Sequence, residues 1–203
     1  KITPRTRAIM VNSPHNPTGA VWSLEDLDAF AEVVKGTNIL IVSDEVYEHI
    51  VFDGEQHASV LLHPELRKRS FVCGSFGKTY HITGWKIGYC IAPEFLTAEF
   101  RKLHQWVTFS SATPMQYALA DYLKEPAHYL GLSDFYQKKR DLFASQFIGS
   151  RWKILPSAGS FFQCLDYSAI SNEKDVDLAD RLTREIKVAS IPVSVFYETD
   201  PGD

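Results

Sequence analysis

Short apolar runs alternate with amphipathic stretches through the first half of the chain, and turn residues separate them. The second run is continuously apolar at its centre, which is typical of a parallel sheet covered on both faces. Between the first two runs, an apolar stripe of helical period follows Ser23 and ends at Gly36, with Asp26 in the capping-box position. This order predicts an α/β fold with a mostly parallel sheet. The predicted strands cover 7–11, 38–43, 70–73 and 87–92.

Helical patterns dominate after Pro93, and a mixed pattern follows them. Ser133 or Asp134 is expected to cap the third of these helices, with Phe135, Leu142, Phe143 and Phe147 facing inward. We place a domain boundary near residue 130, which gives a partial large domain over 1–130 and a partial α+β small domain over 131–203. The predicted helices cover 95–103, 114–123, 133–147 and 175–187, and the predicted strands cover 152–155, 160–165 and 189–195.

Composition narrows the function classes. The 203 residues are 45% hydrophobic and 13% aromatic, as in an ordinary core-forming globular protein. The formal net charge is −4 with no basic run, which argues against nucleic acid as a partner. The longest apolar runs are strand-sized, so we expect no membrane partner. Three widely spaced cysteines fit free thiols in a reducing cytoplasm, and the seven histidines show no metal-ligand spacing.

Polar side chains follow three predicted strands directly. Asn16 lies in a proline-rich loop after the first strand, Asp44 ends the second, and Ser75 and Lys78 follow the third. Ligands of open α/β sheets bind beyond the carboxyl ends of the strands. We therefore expect these side chains to converge on one ligand.

A reactive lysine near a hydroxyl and a second cation suits a ligand with an aldehyde and a phosphate, as in pyridoxal phosphate. Catalysis with this cofactor needs a Schiff-base amine, a carboxylate at the pyridine nitrogen, donors to the phenolic oxygen and groups that hold the phosphate. Each residue alone also has an ordinary explanation, as a solvated lysine, a turn residue or a core tyrosine. The candidate Schiff-base amine is Lys78, and the candidate carboxylate is Asp44. Asn16 and Tyr47 are the candidate donors to the phenolic oxygen, and Ser75 and Lys86 are the candidates that hold the phosphate.

The motifs at these positions closely resemble the class I/II aminotransferases of fold type I. They are Asn-Ser-Pro-His-Asn-Pro-Thr-Gly at 12–19, Ser-Asp-Glu-Val-Tyr at 43–47, Ser-Phe-Gly-Lys-Thr at 75–79 and Thr-Gly-Trp-Lys-Ile-Gly at 83–88. A softer match to the methionine and kynurenine aminotransferase branch lies at 111–116, 134–136, 158–162 and 191–196. The resemblance implies part of the large cofactor-binding domain, a partial small domain and the same six site residues in the roles given above.

The chain departs from the family pattern in several places. Many relatives have arginine where Lys86 stands, and Gly77 lacks a hydroxyl that some relatives place before the lysine. The resemblance implies a homodimer, and it implies that the chain is a fragment without the family's N-terminal part and C-terminal end. We therefore expect these 203 residues alone not to catalyse efficiently, and rapid transamination by the purified chain would contradict this expectation.

The favoured function is transamination between an amino acid (methionine, aromatic or kynurenine-like) and a 2-oxo acid. One alternative is a pyridoxal-phosphate C–S β-lyase, because it uses much the same cofactor machinery. Another is non-enzymatic: a cofactor-sensing domain of a transcription regulator, or a catalytically incomplete fragment.

Overall fold

A computed structural model describes residues 1–199 and places a four-stranded sheet in the first half of the chain. The strand order is β1-β2-β3-β4, with the first three strands parallel and β4 antiparallel to β3. The predicted α/β class with a mostly parallel sheet is confirmed. The strands are β1 (Ala8–Asn12), β2 (Leu40–Asp44), β3 (Ser70–Ser75) and β4 (Gly88–Ile91).

Helix α1 (Leu24–Val34) begins and ends as its sequence predicts. The Ser23 hydroxyl accepts from the Asp26 N–H, and the Asp26 carboxylate accepts from the Ser23 N–H, which completes a capping box. Gly36 follows with φ +69°, a conformation that glycine adopts without steric cost. The buried face of α1 packs on the sheet in a core of Leu27, Ala31, Val34, Ile39, Ile41, Ala58, Val60, Leu66 and Val72.

The remaining helices are mostly in the second half of the chain. None of the helices within residues 1–199 has the length and apolar character needed to cross a membrane. The helices that follow α1 are α2 (Pro64–Arg67), α3 (Phe76–Thr79), α4 (Glu94–Val107), α5 (Thr113–Tyr122), α6 (Ala127–Leu130), α7 (Leu132–Ser145) and α8 (Asp175–Arg181).

The chain divides into two compact units. The first comprises Lys1–Gln146 and Pro156–Cys164, and the second comprises Phe147–Leu155 and, of the described residues, 165–199. The second unit contains the two-stranded antiparallel sheet of β5 (Lys153–Ile154) and β6 (Leu165–Asp166). The domain assignment of 1–130 and 131–203 stays a prediction.

The predicted cap and buried face of α7 are wrong. The helix begins at Leu132 after Gly131, and the Ser133 hydroxyl donates to the Val51 carbonyl instead of capping the helix. Leu132 is 6% exposed. Three of the four residues expected to face inward, Phe135, Leu142 and Phe143, are 47%, 65% and 41% exposed, and the fourth, Phe147, lies beyond the end of the helix.

Two predicted strands are also corrected. Most of 160–165 forms no strand, because the Ser160 N–H donates to the Ile50 carbonyl at 2.8 Å and thereby holds this segment beside residues 50–52. The predicted last strand over 189–195 is absent from residues 1–199. Instead, Ser194–Phe196 forms a 3-10 turn, since the Ser194 N–H and hydroxyl both donate to the Asp175 carboxylate.

Candidate active site

The carboxyl ends of β1, β2 and β3 lie side by side. Asn12 pairs in register with Asp44, and Asp44 pairs with Cys73, two residues before Ser75 at the end of β3. The polar residues that follow these strands therefore start from one edge of the sheet, as the parallel arrangement requires.

Asn12 fixes the loop that carries Asn16. Its side-chain amide donates to the Asp44 carbonyl at 2.9 Å, and its Oδ1 accepts from the Asn16 N–H at 2.8 Å. The Ser13 N–H also donates to the Asp44 carbonyl at 3.1 Å. These hydrogen bonds hold the backbone of Asn16 close to the backbone of Asp44. Asp44 Oδ1 accepts from the Val46 N–H at 3.3 Å, and within residues 1–199 Oδ2 has no hydrogen-bond partner.

Tyr47 lies beside Asn16 and is only 2% exposed. Burial raises the pKa of Tyr47 to about 12, the Asp44 charge adds to the increase, and a hydrogen bond with the Asn16 side chain partly offsets it. The phenol therefore stays protonated at neutral pH and can donate a hydrogen bond. Asn16 and Tyr47 present neighbouring donors, as a shared phenolic oxygen would require.

Lys78 lies in α3 directly after β3 and is half-buried. Its Nζ atom is 5.5 Å from the centre of the Tyr47 ring and 5.4 Å from the centre of the Phe161 ring. Within residues 1–199 the amine makes no hydrogen bond or ion pair. The Lys78 amine is half-buried, packs against two rings and has no anionic partner within residues 1–199. Such an amine is available for covalent chemistry.

Fewer contacts fix the positions of the Ser75 and Lys86 side chains. The Ser75 hydroxyl precedes α3 without capping it and makes no hydrogen bond within residues 1–199, so it is available to a ligand. Lys86 is exposed with φ +55°, and within the described part of the chain its ammonium has no hydrogen-bond or ion-pair partner. Gly88 pairs with Ser75 in the sheet and thus keeps the Lys86 backbone near the end of β3. No contact joins the Lys86 and Ser75 side chains.

An aromatic wall, defined here as Tyr47, Tyr136 and Phe161, stands beside Lys78. The Phe161 ring centre is 5.1 Å from that of Tyr47 and 5.8 Å from that of Tyr136. The Tyr136 hydroxyl is 3.2 Å from His81 Nδ1. Sequence reasoning gave no site role to Tyr136 or Phe161. Their only signal was membership of the softer family motifs, because nothing in local periodicity reveals a contact across more than eighty residues.

The residues present fit pyridoxal phosphate. Within residues 1–199 they supply an amine and a hydroxyl that have no hydrogen-bond partner, together with a carboxylate and two neighbouring donors. The turn after β3 is also tightly packed: a Cβ at Gly77 would lie 3.0 Å from Thr83 Cα and 3.2 Å from Ser75 Oγ. A side chain at residue 77 would therefore press on the hydroxyl proposed to hold the phosphate.

Comparison with known families identifies the class of protein. The model of the family "Aminotransferase class I and II" matches residues 1–203, so the chain belongs to this family of pyridoxal-phosphate-dependent enzymes.

Several curated proteins are similar to the chain. A methionine aminotransferase of Escherichia coli strain K12 is 52% identical over 96% of this chain and 51% of its own length. A kynurenine–oxoglutarate transaminase of Dictyostelium discoideum is 36% identical over 98% of this chain and 50% of its own. The chain thus spans about half the length of the curated relatives it matches.

Solved structures agree. An Escherichia coli protein with a methionine aminotransferase function superposes with a TM-score of 0.94 at 51% identity, over 98% of this chain and 53% of that chain. The N-succinyldiaminopimelate aminotransferase from Mycobacterium tuberculosis gives a TM-score of 0.93 at 34% identity, over 98% and 52%. Both superpositions extend over the sheet that carries the candidate site.

Proposed function

We propose that the protein transfers an amino group between an amino acid and a 2-oxo acid with pyridoxal phosphate, and that Lys78 is the amine that joins the cofactor. The observation that carries this proposal is the half-buried Lys78 amine, which has no ion-pair partner within residues 1–199 and lies beside the donors Tyr47 and Asn16. Membership of the aminotransferase family supports the same reaction class.

The other site residues have distinct tasks in this proposal. When bound, pyridoxal phosphate supplies an electron-accepting ring that stabilises negative charge at the substrate Cα. The Asp44 carboxylate would keep the ring nitrogen protonated, and Asn16 and Tyr47 would donate to the phenolic oxygen. The Ser75 hydroxyl and the Lys86 ammonium hold the phosphate.

Lys78 also has a proton-transfer role in the proposal. With the substrate in the site, the Lys78 Nζ atom would be able to accept the proton from the substrate Cα and to donate it back to the substrate or the cofactor. The two flanking rings limit where Nζ can lie, and this orients the amine toward the reacting atom.

The substrate class follows from the aromatic wall. The Tyr47, Tyr136 and Phe161 rings offer apolar surface near the Lys78 amine, and such surface favours an uncharged side chain. We therefore propose methionine, an aromatic amino acid or a kynurenine-like compound as the amino donor. Similarity to proteins named methionine aminotransferase and kynurenine–oxoglutarate transaminase supports this choice.

Chemical trapping tests the role of Lys78. The natural polypeptide that carries this sequence is incubated with pyridoxal phosphate, reduced with borohydride and mapped by mass spectrometry. We expect the adduct on Lys78 and its loss in Lys78→Ala. The matched control is Lys139→Ala, because Lys139 Nζ also lies on a ring, 4.7 Å from the centre of Phe135. An adduct on another lysine in the wild type would contradict the assignment.

An assay with sulfur and aromatic amino acids tests the reaction. Transfer requires a 2-oxo acid co-substrate, so omission of the 2-oxo acid should stop turnover. Release of pyruvate and ammonia without a 2-oxo acid would contradict transfer and indicate the C–S β-lyase. The homodimer and the cytoplasmic location stay predictions from the sequence.

A further inference from the structure

Glu45 is a buried carboxylate that the proposed function does not use. It follows Asp44 directly and is 3% exposed. A buried charge is costly unless hydrogen bonds and an opposite charge compensate it. Here Glu45 Oε1 accepts from the Ser43 hydroxyl at 2.8 Å and the Val60 N–H at 3.1 Å, and Oε2 lies 2.8 Å from His57 Nε2.

These donors require a carboxylate. Burial by itself would raise the pKa of Glu45. Hydrogen bonds from His57, Ser59 and Ser43, together with the His57 charge, have the larger combined effect in the opposite direction. The net pKa is therefore lowered, and the group is ionised at neutral pH. A carboxylate only accepts, so the His57 proton lies on Nε2. A glutamine at this position would lose the negative charge, and its N–H₂ group could not accept a hydrogen bond from the donor that it faces.

The Glu45 backbone connects this cluster to the candidate site. Its N–H donates to the Cys73 carbonyl at 2.9 Å, while the Asp44 carbonyl of the same peptide group accepts from Ser13 and Asn12. Asn12 in turn accepts from the Asn16 N–H. One peptide group therefore couples the Glu45 side chain to the Asp44 carboxylate and to the loop that holds Asn16.

We propose that Glu45, held by His57, is a positioning residue that fixes the Asp44–Glu45 peptide group and, through it, the Asn16 loop. The proposal rests on the proposed function only in that Asp44 and Asn16 are taken to hold the cofactor. Glu45 itself does not touch the reacting atoms.

Amide hydrogen exchange without cofactor gives the first test. In Glu45→Gln we expect the Ser13 and Asn16 amides to exchange roughly ten-fold faster, because one buried charged hydrogen-bond set is lost. The matched control is Ser70→Ala, which removes a buried hydroxyl bond to the Leu66 carbonyl at the opposite end of β3. Faster exchange confined to residues 57–60, or equal changes in both variants, would overturn the proposal.

His57 provides a second route if Glu45→Gln does not fold. His57→Ala removes one donor, so the Ser13 and Asn16 amides should again exchange faster. His57→Gln keeps an N–H donor and should restore slow exchange at both amides. Failure of His57→Ala to change these amides, or of His57→Gln to restore them, would overturn the proposal.

Cofactor affinity gives the second test. We expect the dissociation constant for pyridoxal phosphate, measured by fluorescence on the natural polypeptide, to rise roughly ten-fold in Glu45→Gln and to stay unchanged in Ser70→Ala. An unchanged constant in Glu45→Gln would overturn the proposal. Absence of binding by the wild type would instead contradict the proposed function, and the exchange results would still decide the role of Glu45.

Discussion

At the residue scale, the segment from Asp44 to Tyr47 places groups of different character next to one another. The half-buried Asp44 ends β2, whereas Glu45 and Tyr47 are 3% and 2% exposed. The buried carboxylate is stabilised by hydrogen bonds to its own surroundings, and the buried phenol stays protonated because ionising it would cost solvation. Residues 44–47 thereby supply both a buried carboxylate held by hydrogen bonds and a phenol that can donate a hydrogen bond.

The Tyr47 hydroxyl can be tested by a conservative substitution. Tyr47→Phe keeps the buried ring but removes the donor, so we expect pyridoxal phosphate to bind roughly ten-fold to one-hundred-fold more weakly, as for a hydrogen bond to a charged oxygen. Fluorescence titration measures the affinity. Tyr80→Phe is the control, because Tyr80 is also buried in an aromatic cluster, at 9% exposure. Equal affinities of wild type and Tyr47→Phe would contradict the assigned role.

The lowered pKa of Glu45 predicts a pH dependence of stability. A carboxyl whose pKa is lower in the folded state stabilises the fold above its unfolded pKa of 4.5, and this contribution disappears as the pH falls through the folded value. The difference in free energy of unfolding between wild type and Glu45→Gln should therefore shrink below pH 4.5. Urea unfolding over a pH series measures it. A constant difference at every pH would exclude this contribution.

At the element scale, Arg140 joins α7 to two other segments of the first unit. Its guanidinium makes a bidentate pair with Asp53 at 2.6 and 2.8 Å and donates to the Ser157 carbonyl at 3.0 Å. It also lies 4.8 Å from the centre of the Phe52 ring. A hydrogen bond from the Phe52 N–H to the Ala158 carbonyl at 2.8 Å continues this junction, and the wall residue Phe161 follows a few positions later. One side chain of α7 thus stabilises the segment that brings Phe161 to the site.

A double-mutant cycle tests this junction. Arg140→Ala should destabilise the fold more than Asp53→Ala, because it also removes the bond to Ser157 and the ring contact. We expect a coupling energy of roughly 0.5–1 kcal/mol, since the Asp53 side chain is 57% exposed and water screens the pair. Urea unfolding of both single variants and the double variant measures it. Lys124→Ala, in a pair whose side chains are 75% and 77% exposed, should change nothing measurable. Additive effects would show that the pair is not coupled.

At the scale of the whole molecule, the two compact units contain very different sheets. The first has four strands and a buried core on α1, whereas β5 and β6 in the second have two residues each. A two-stranded ribbon buries little apolar surface and has few backbone hydrogen bonds to protect it. The first unit therefore provides the rigid base on which Asp44 and Lys78 stand.

This difference predicts a gradient of protection. Hydrogen exchange followed by mass spectrometry should find the slowest amides in β2 and β3 and much faster exchange in β5 and β6. Peptides that cover residues 40–44 and 70–75 are compared with peptides that cover 153–154 and 165–166. Equal protection of the two sheets would contradict the expectation.

The local sequence pattern was sufficient to predict much of the fold. The capping box at Ser23, the glycine at 36 and the four strand positions of the main sheet follow from propensity and periodicity, which act over a few residues. The same reasoning failed for Ser133 and for 160–165. At both places a hydrogen bond to the segment around residues 50–52 outweighed the local preference.

The sequence by itself determined the family motifs, the order of the elements and the positions of Asn16, Asp44 and Lys78 after their strands. These follow from neighbouring residues, because strand, turn and cap signals are local. The tertiary structure alone decided that Phe161 lies beside Lys78 and that His57 forms a hydrogen bond with Glu45. Those contacts join distant parts of the chain, and their formation depends on packing and burial that no local period encodes.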